Sequence, residues 1–114
     1  MTLDDVASSD RQRLDLLLGV GRDPHLEVAP PEPFSGEGKV DWAAGFEDPE
    51  RAVRLTVWFV RDPAERDAAA ARLAGTGGLV GTNGGMLFHG YAQAVDPAGE
   101  SRLTELASRF AGEE

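Results

Sequence analysis

The fold is set by two similar segments, AVRLTVWFVRDPAERDAAAARLAG at Ala52–Gly75 and DPAGESRLTELASRFAG at Asp96–Gly112. Each contains a helical stretch that opens on Asp-Pro-Ala and closes on Arg-x-Ala-Gly. An aspartate can accept hydrogen bonds from the free amides at a helix start, and proline in the first turn loses no hydrogen bond there. We therefore predict that Asp62 and Asp96 are the N-caps of two equivalent helices.

The residues before the first helix alternate in character, as expected of a strand with two distinct faces. The two predicted faces are Val53, Leu55, Val57 and Phe59 on one side, and Arg54, Thr56, Trp58 and Val60 on the other. The helix that follows is rich in alanine and therefore thin. It can approach a sheet closely, with Leu73 as its main apolar contact.

Six glycines lie in GTGGLVGTNGG at Gly75–Gly85. They follow a helix, whereas a phosphate-binding loop leads from a strand into a helix, so a hairpin is favoured over a phosphate site. Asn83-Gly84 between two apolar segments is typical of a type I′ turn, with positive φ at both turn residues. This turn would pair Thr82 with Gly85 and fix the register of the hairpin.

The first forty residues predict less regular structure. Leucines at helical spacing favour a helix over 10–18 that ends at Gly19. Three prolines and two glycines in PPEPFSGEGK predict a surface loop, in which Phe34 could anchor the chain to the body, and Val40–Phe46 is a possible strand. The chain is thus divided into a helical segment at 1–28, a loop at 29–39 and an α+β core at 40–114, within one domain.

The element order of the core is βαββα, which resembles a ferredoxin-like α+β sandwich. We expect an antiparallel sheet with both Asp-Pro helices on one face and the strands of the β-α-β unit side by side. The residues predicted to lie beneath the helices are Val53, Leu55, Val57, Phe59, Leu79 and Phe88.

The opposite face of the predicted sheet is too apolar to be left in water. Its candidate binding residues are Arg54, Thr56, Trp58, Leu87, His89 and Tyr91. Three covers are possible: the N-terminal helix through Leu14, Leu17 and Leu18, a second copy of the chain, or a ligand or partner. The second possibility resembles dimeric α+β barrel proteins, some of which are small cofactor-free monooxygenases.

Composition excludes several classes of function. The 114 residues carry 20 acids against 11 bases, a net charge of −9, and no basic stripe that would bind nucleic acid. The sequence contains no membrane-spanning apolar run and no secretory signal, so we expect a cytoplasmic protein. It contains no cysteine, and its two histidines, His25 and His89, have no metal-binding spacing. We therefore expect no cofactor and no metal. The acids Asp41, Glu47, Asp48 and Glu50 are predicted to lie in a solvent-exposed turn.

Two classes of function remain. The first is a non-enzymatic binding module that uses the sheet face to engage a protein partner or a second copy. The alternative is a small cofactor-independent enzyme of the dimeric α+β barrel type, with a pocket around His89, Tyr91 and Trp58. An enzyme needs a pocket with converging polar groups, whereas a binding module presents a flat or filled face.

Overall fold

The computed structural model describes residues 8–19, 23–32, 34, 40–60, 62–93 and 97–111. The side chains of residues 8–11 and 41 lie outside this description. The elements, in chain order, are α1 (Ser8–Leu18), β1 (Glu27–Ala29), β2 (Val40–Asp48), β3 (Val53–Val60), α2 (Pro63–Ala74), β4 (Leu79–Asn83), β5 (Met86–Ala92) and α3 (Pro97–Ala111). The predicted α+β class is confirmed, and so is the strand at Val40–Phe46, which continues to Asp48.

The five strands form one antiparallel sheet in the order β1-β2-β3-β5-β4. Strand β5 lies between β3 and β4, so the prediction that the strands of the β-α-β unit are neighbours is wrong. The reason is the hairpin. Strand β5 folds back beside β4 and takes the position next to β3, which leaves β4 at the edge of the sheet.

The first face of the sheet, which carries Val53, Leu55 and Val57, is covered by α1 and α3. Leu14 and Leu18 of α1 are completely buried in the core on this face. Helix α3 approaches closely because Gly90 has no side chain: a Cβ there would lie 2.6 Å from Leu103 Cδ1.

The second face, which carries Trp58 and Val60, is covered by α2 through Ala69 and Leu73. The prediction that both Asp-Pro helices lie on one face is therefore wrong, and the protein has three layers, unlike a ferredoxin-like sandwich. Because Trp58 and Val60 are themselves apolar, this face needs a helix of its own.

The start of α2 is as predicted. The Asp62 carboxylate accepts a hydrogen bond from the Ala64 amide at 2.9 Å, and Pro63 occupies the first turn. Leu73 is buried, which confirms its role as an apolar contact of the helix. The equivalent prediction for Asp96 lies outside the described residues.

The hairpin turn differs from the prediction. Asn83 pairs with Met86, so the turn residues are Gly84 and Gly85. Gly84 has φ 58, but neither Asn83 nor Gly85 has a positive φ, which excludes the type I′ turn with Asn83 as a turn residue. Asn83 is drawn into the strand because its side-chain amide donates to the Phe110 carbonyl at 2.8 Å.

The different position of the turn does not change which residues share a face of the sheet. The register moves by two residues along β5, so Val80 pairs with His89 instead of Leu87. A shift of two keeps every side chain on its original face, since successive side chains alternate. Leu79 does fall on the first face, but it remains 37% exposed at the sheet edge and is not covered as predicted.

The β2–β3 turn holds a residue in an unfavourable backbone conformation. Ala52 has φ 53, and among the described residues it is the non-glycine with a positive φ. Its carbonyl accepts a hydrogen bond from the Gln93 amide at 2.7 Å, which fixes this geometry. A side chain in this left-handed region costs roughly 1–2 kcal/mol relative to the ordinary helical region.

Replacement of Ala52 by glycine should therefore stabilise the protein by roughly 0.5–1 kcal/mol, because glycine adopts this conformation freely but loses more entropy on folding. Thermal and urea denaturation would measure the change. The matched control is Ala71→Gly on the exposed side of α2, which should destabilise by about 1 kcal/mol. A loss of stability in Ala52→Gly would contradict this account of the turn.

Candidate functional site

The six predicted site residues share the second face of the sheet. Strand pairing places Arg54 opposite Tyr91, Thr56 opposite His89 and Trp58 opposite Leu87. Directly paired residues in an antiparallel sheet project to the same side. The structure therefore brings the six together, but it also shows that the face is not open.

Helix α2 covers one half of the second face. Leu87 is completely buried and Trp58 is 2% exposed, and both pack in one cluster with Ala69 and Leu73. The expectation that Trp58 lies away from both Asp-Pro helices is wrong, because α2 lies above it. Trp58 and its neighbour Phe59 do lie on opposite sides of β3, as the alternation predicts.

The proline segment, defined here as Pro30–Glu32 together with Phe34, covers the other half. Glu32 is held at three points. Its amide donates to Thr56 Oγ1 at 3.2 Å, its carbonyl accepts from Trp58 Nε1 at 3.0 Å, and its carboxylate accepts from the Tyr91 hydroxyl at 2.6 Å. The Phe34 ring lies 5.8 Å from the Trp58 ring, which confirms the predicted anchor.

The N-terminal helix does not cover this face, although it was one of the three candidates. Its leucines pack instead on the first face beside α3. The proline segment, which covers this half of the second face, was not among the three candidates. Phe34, an apolar residue in a proline-rich loop, is the feature of the sequence that indicates it.

His89 and Tyr91 make contacts typical of structural residues. His89 is buried, and its Nε2 lies 3.2 Å from the Gly77 carbonyl. The hydrogen bond to the Glu32 carboxylate, together with burial, raises the pKa of Tyr91, so its hydroxyl stays protonated as a donor. Trp58 is covered by α2 and the proline segment, and the polar groups of all three side chains already have partners within the protein.

Replacing Tyr91 by phenylalanine should destabilise the protein by about 1–2 kcal/mol, since the hydrogen bond that it removes has a charged acceptor in a partly buried site. Urea denaturation would measure the loss. In a Glu32→Ala background the same replacement should cost little, because its partner is already gone. Equal costs in the two backgrounds would show that the Tyr91–Glu32 contact contributes nothing of its own.

A second polar constellation lies on the first face, at the end of β2. Asp48 is completely buried, and its carboxylate accepts from Arg102 Nε at 2.9 Å. Arg102 also donates to Asp23 at 2.5 Å, and Arg109 donates to the same Asp23 oxygen at 2.9 Å. For Asp48 the prediction of a solvated acidic turn is wrong, since the acid is the centre of a buried ion network.

A polar cleft of about 300 Å³ lies beside this network, lined by His25, Arg51, Ala98, Ser101, Arg102 and Glu105. Its charged groups are paired: Arg51 contacts Asp48 at 3.3 Å, and Arg102 contacts Glu105 at 3.3 Å. Within the described ranges, no group of three or more acids and histidines is arranged to hold a metal ion. The cleft is thus the solvent-facing side of the ion network.

The network lowers the pKa of Asp23. Burial alone would raise that pKa, but hydrogen bonds from Arg102, Arg109 and the His25 amide outweigh it and hold the pKa at about 2, against an ordinary value of 3.8. Burial would lower the pKa of Arg102, but its hydrogen bonds to Asp23 and Asp48 raise it instead. Both groups are therefore charged at neutral pH.

Stability should fall in acid because the unfolded chain then binds more protons at Asp23 than the folded chain. The contribution, on the order of 2 kcal/mol, is fully present above pH 3.8 and is lost as the pH falls through about 2. Urea denaturation between these pH values would measure it. Asp23→Asn should flatten the profile in this window, and an unchanged slope in that variant would contradict the assignment.

The two edges of the sheet differ in how they are protected. Strand β1 has three residues and is followed directly by Pro30 and Pro31. A short edge strand and prolines both hinder pairing with a further strand. Strand β4 has five residues, LVGTN, with no charge and no proline. Leu79 at its start is 37% exposed. Only the β4 edge therefore lacks the usual protection, among the strands that the structure describes.

The hairpin register shows which β4 backbone groups face outward. Residues that flank a two-residue turn form a hydrogen-bonded pair, and such pairs alternate along an antiparallel ladder. Asn83, Gly81 and Leu79 therefore bond to β5. The N–H and C=O groups of Val80 and Thr82 point away from the sheet, and no bond to them is formed within the described residues.

Comparison with known proteins identifies no relative: no family model matches the sequence, and neither a curated protein nor a solved structure matches it. The helices described here are all too short or too polar to cross a membrane.

Proposed function

We propose that this chain is a non-enzymatic protein-binding module that pairs an extended segment of its partner with the free edge of β4. The observation that supports this most directly is the outward backbone of Val80 and Thr82 on an edge strand without charge or proline. Unpaired edge groups of this kind are a template for another strand.

The surroundings of β4 fit this role. Helix α2 packs against β4 from the second face and α3 from the first. The strand is therefore supported on both faces, and an added segment would dock on a preformed edge. Preorganisation of this kind reduces the entropy lost on binding.

The binding surface proposed here differs from the sheet face expected from the sequence. The apolar centre of that face, Trp58 and Leu87, is already packed against α2, and Thr56 and Tyr91 already bond to Glu32. A partner would have to displace these contacts, whereas the β4 edge is open in the described part of the chain. The enzymatic alternative around His89, Tyr91 and Trp58 has no supporting observation there.

Replacement of Thr82 by proline tests the proposal. The Thr82 amide points away from β5, so proline removes an outward donor without removing a bond of the sheet. With the full chain as bait in a native lysate, partners retained by the wild type should be lost or reduced at least about tenfold in Thr82→Pro, as expected for more than about 1.4 kcal/mol of binding energy.

Thr82→Val is the matched control, since it keeps the amide and the branched side chain, and it should retain the partners. Circular dichroism and the melting temperature should show that the proline variant is folded. If folded Thr82→Pro retains every partner of the wild type, the β4 edge is not the binding surface.

A further inference from the structure

We infer that the segment that pairs with β4 is β4 of a second copy of this chain, joined antiparallel about a twofold axis at Gly81. This inference rests on the proposed function, because it names the partner of the same edge. It would turn two five-stranded sheets into one continuous sheet across the dimer.

The outward groups of β4 are self-complementary in this arrangement. With Gly81 opposite Gly81 of the second copy, Val80 lies opposite Thr82 of the second copy, and Thr82 opposite its Val80. These are the residues whose N–H and C=O groups point outward. Each pair can exchange two hydrogen bonds, so the two pairs together form about four.

Gly81 suits the centre of such an interface. It falls on a non-hydrogen-bonded pair, where two strands approach each other most closely, about 4.5 Å between Cα atoms. Because glycine has no side chain, the central pair adds no bulk on either face of the sheet at the seam. On the first face, a Cβ at Gly81 would lie 3.6 Å from the Phe110 ring, an ordinary van der Waals distance, so α3 covers this position.

Local charge favours a second copy over a basic partner. Strand β4 is uncharged, and Arg13 donates to the Asn83 side chain at the hairpin. Arg66 donates to the Gly84 carbonyl, but its charge is paired with Asp67 at 3.2 Å. A basic segment would meet the positive charge of Arg13 at this end of the strand. A second β4 brings no charge to the seam, so only the long-range repulsion between two chains of net charge −9 opposes it.

This charge balance predicts the sign of the salt effect. Raising the salt from about 0.1 M to about 1 M shortens the Debye length from about 10 Å to about 3 Å and screens the repulsion between two acidic chains. The dimer should therefore strengthen with salt, whereas a complex with a basic partner would weaken. Five residues a side is a small interface, so the dimer should be reversible and concentration-dependent.

Sedimentation equilibrium of the full chain over a range of concentrations and salts is the primary test. We expect a monomer–dimer equilibrium that shifts toward dimer in high salt, and that is abolished in folded Thr82→Pro but kept in Thr82→Val. Amide hydrogen exchange adds a test without mutation. Protection of the Val80 and Thr82 amides should rise with protein concentration, while that of Gly81 should not change.

Three results would overturn the inference. The first is a chain that stays monomeric at every concentration and salt, and the second is a dimer that persists in folded Thr82→Pro and so uses another surface. The third is concentration-independent exchange at Val80 and Thr82. A monomeric chain that loses a lysate partner on Thr82→Pro would exclude the second copy as the occupant but leave the proposed function standing. A monomeric chain that keeps every lysate partner in folded Thr82→Pro would exclude both the second copy and the proposed function.

Discussion

The structure depends most on the buried ion pair between Asp48 and Arg102. The carboxylate is completely buried at the end of β2, and the guanidinium comes from the middle of α3. A charge left alone in such a place costs several kcal/mol, so each group requires the other. Asp23 and Arg109 extend the pair to the segment that follows α1, where Arg109 also donates to the Leu18 carbonyl at 3.2 Å. One electrostatic cluster thus fixes how both first-face helices sit on the sheet.

The features that could be predicted from the sequence depend on residues close together in the chain. Period-two alternation in β3 separated Val57 and Phe59 from Trp58, and the structure keeps them on opposite faces. The Asp-Pro start of α2 could be predicted because capping involves residues two apart. The face of the sheet that α2 covers could not be predicted in this way. Both faces of β3 are apolar, and the alternation alone does not indicate which of them a helix will cover.

The errors share a physical cause, which is contact between residues far apart in the chain. Asn83 was predicted to lie in the turn but lies in β4, because its side-chain amide donates to the carbonyl of Phe110 in α3. Asp48 is buried because Arg102 reaches it across 54 positions. Glu32 lies in a proline-rich stretch that reads as a loop, yet it fills the sheet face that was expected to bind a partner. No pattern within a short window reports these partners.

The hairpin turn between β4 and β5 has a mechanical consequence for the whole molecule. Arg13 reaches its Asn83 end from the α1 layer, and Arg66 reaches Gly84 from the α2 layer, although the sheet separates these helices. The turn is therefore hydrogen-bonded to both helix layers. Opening of the turn would break one hydrogen bond to each of these helices at the same time. Local opening at this end of the sheet should therefore reach Arg13 and Arg66 together, while the buried leucines keep both helices in place.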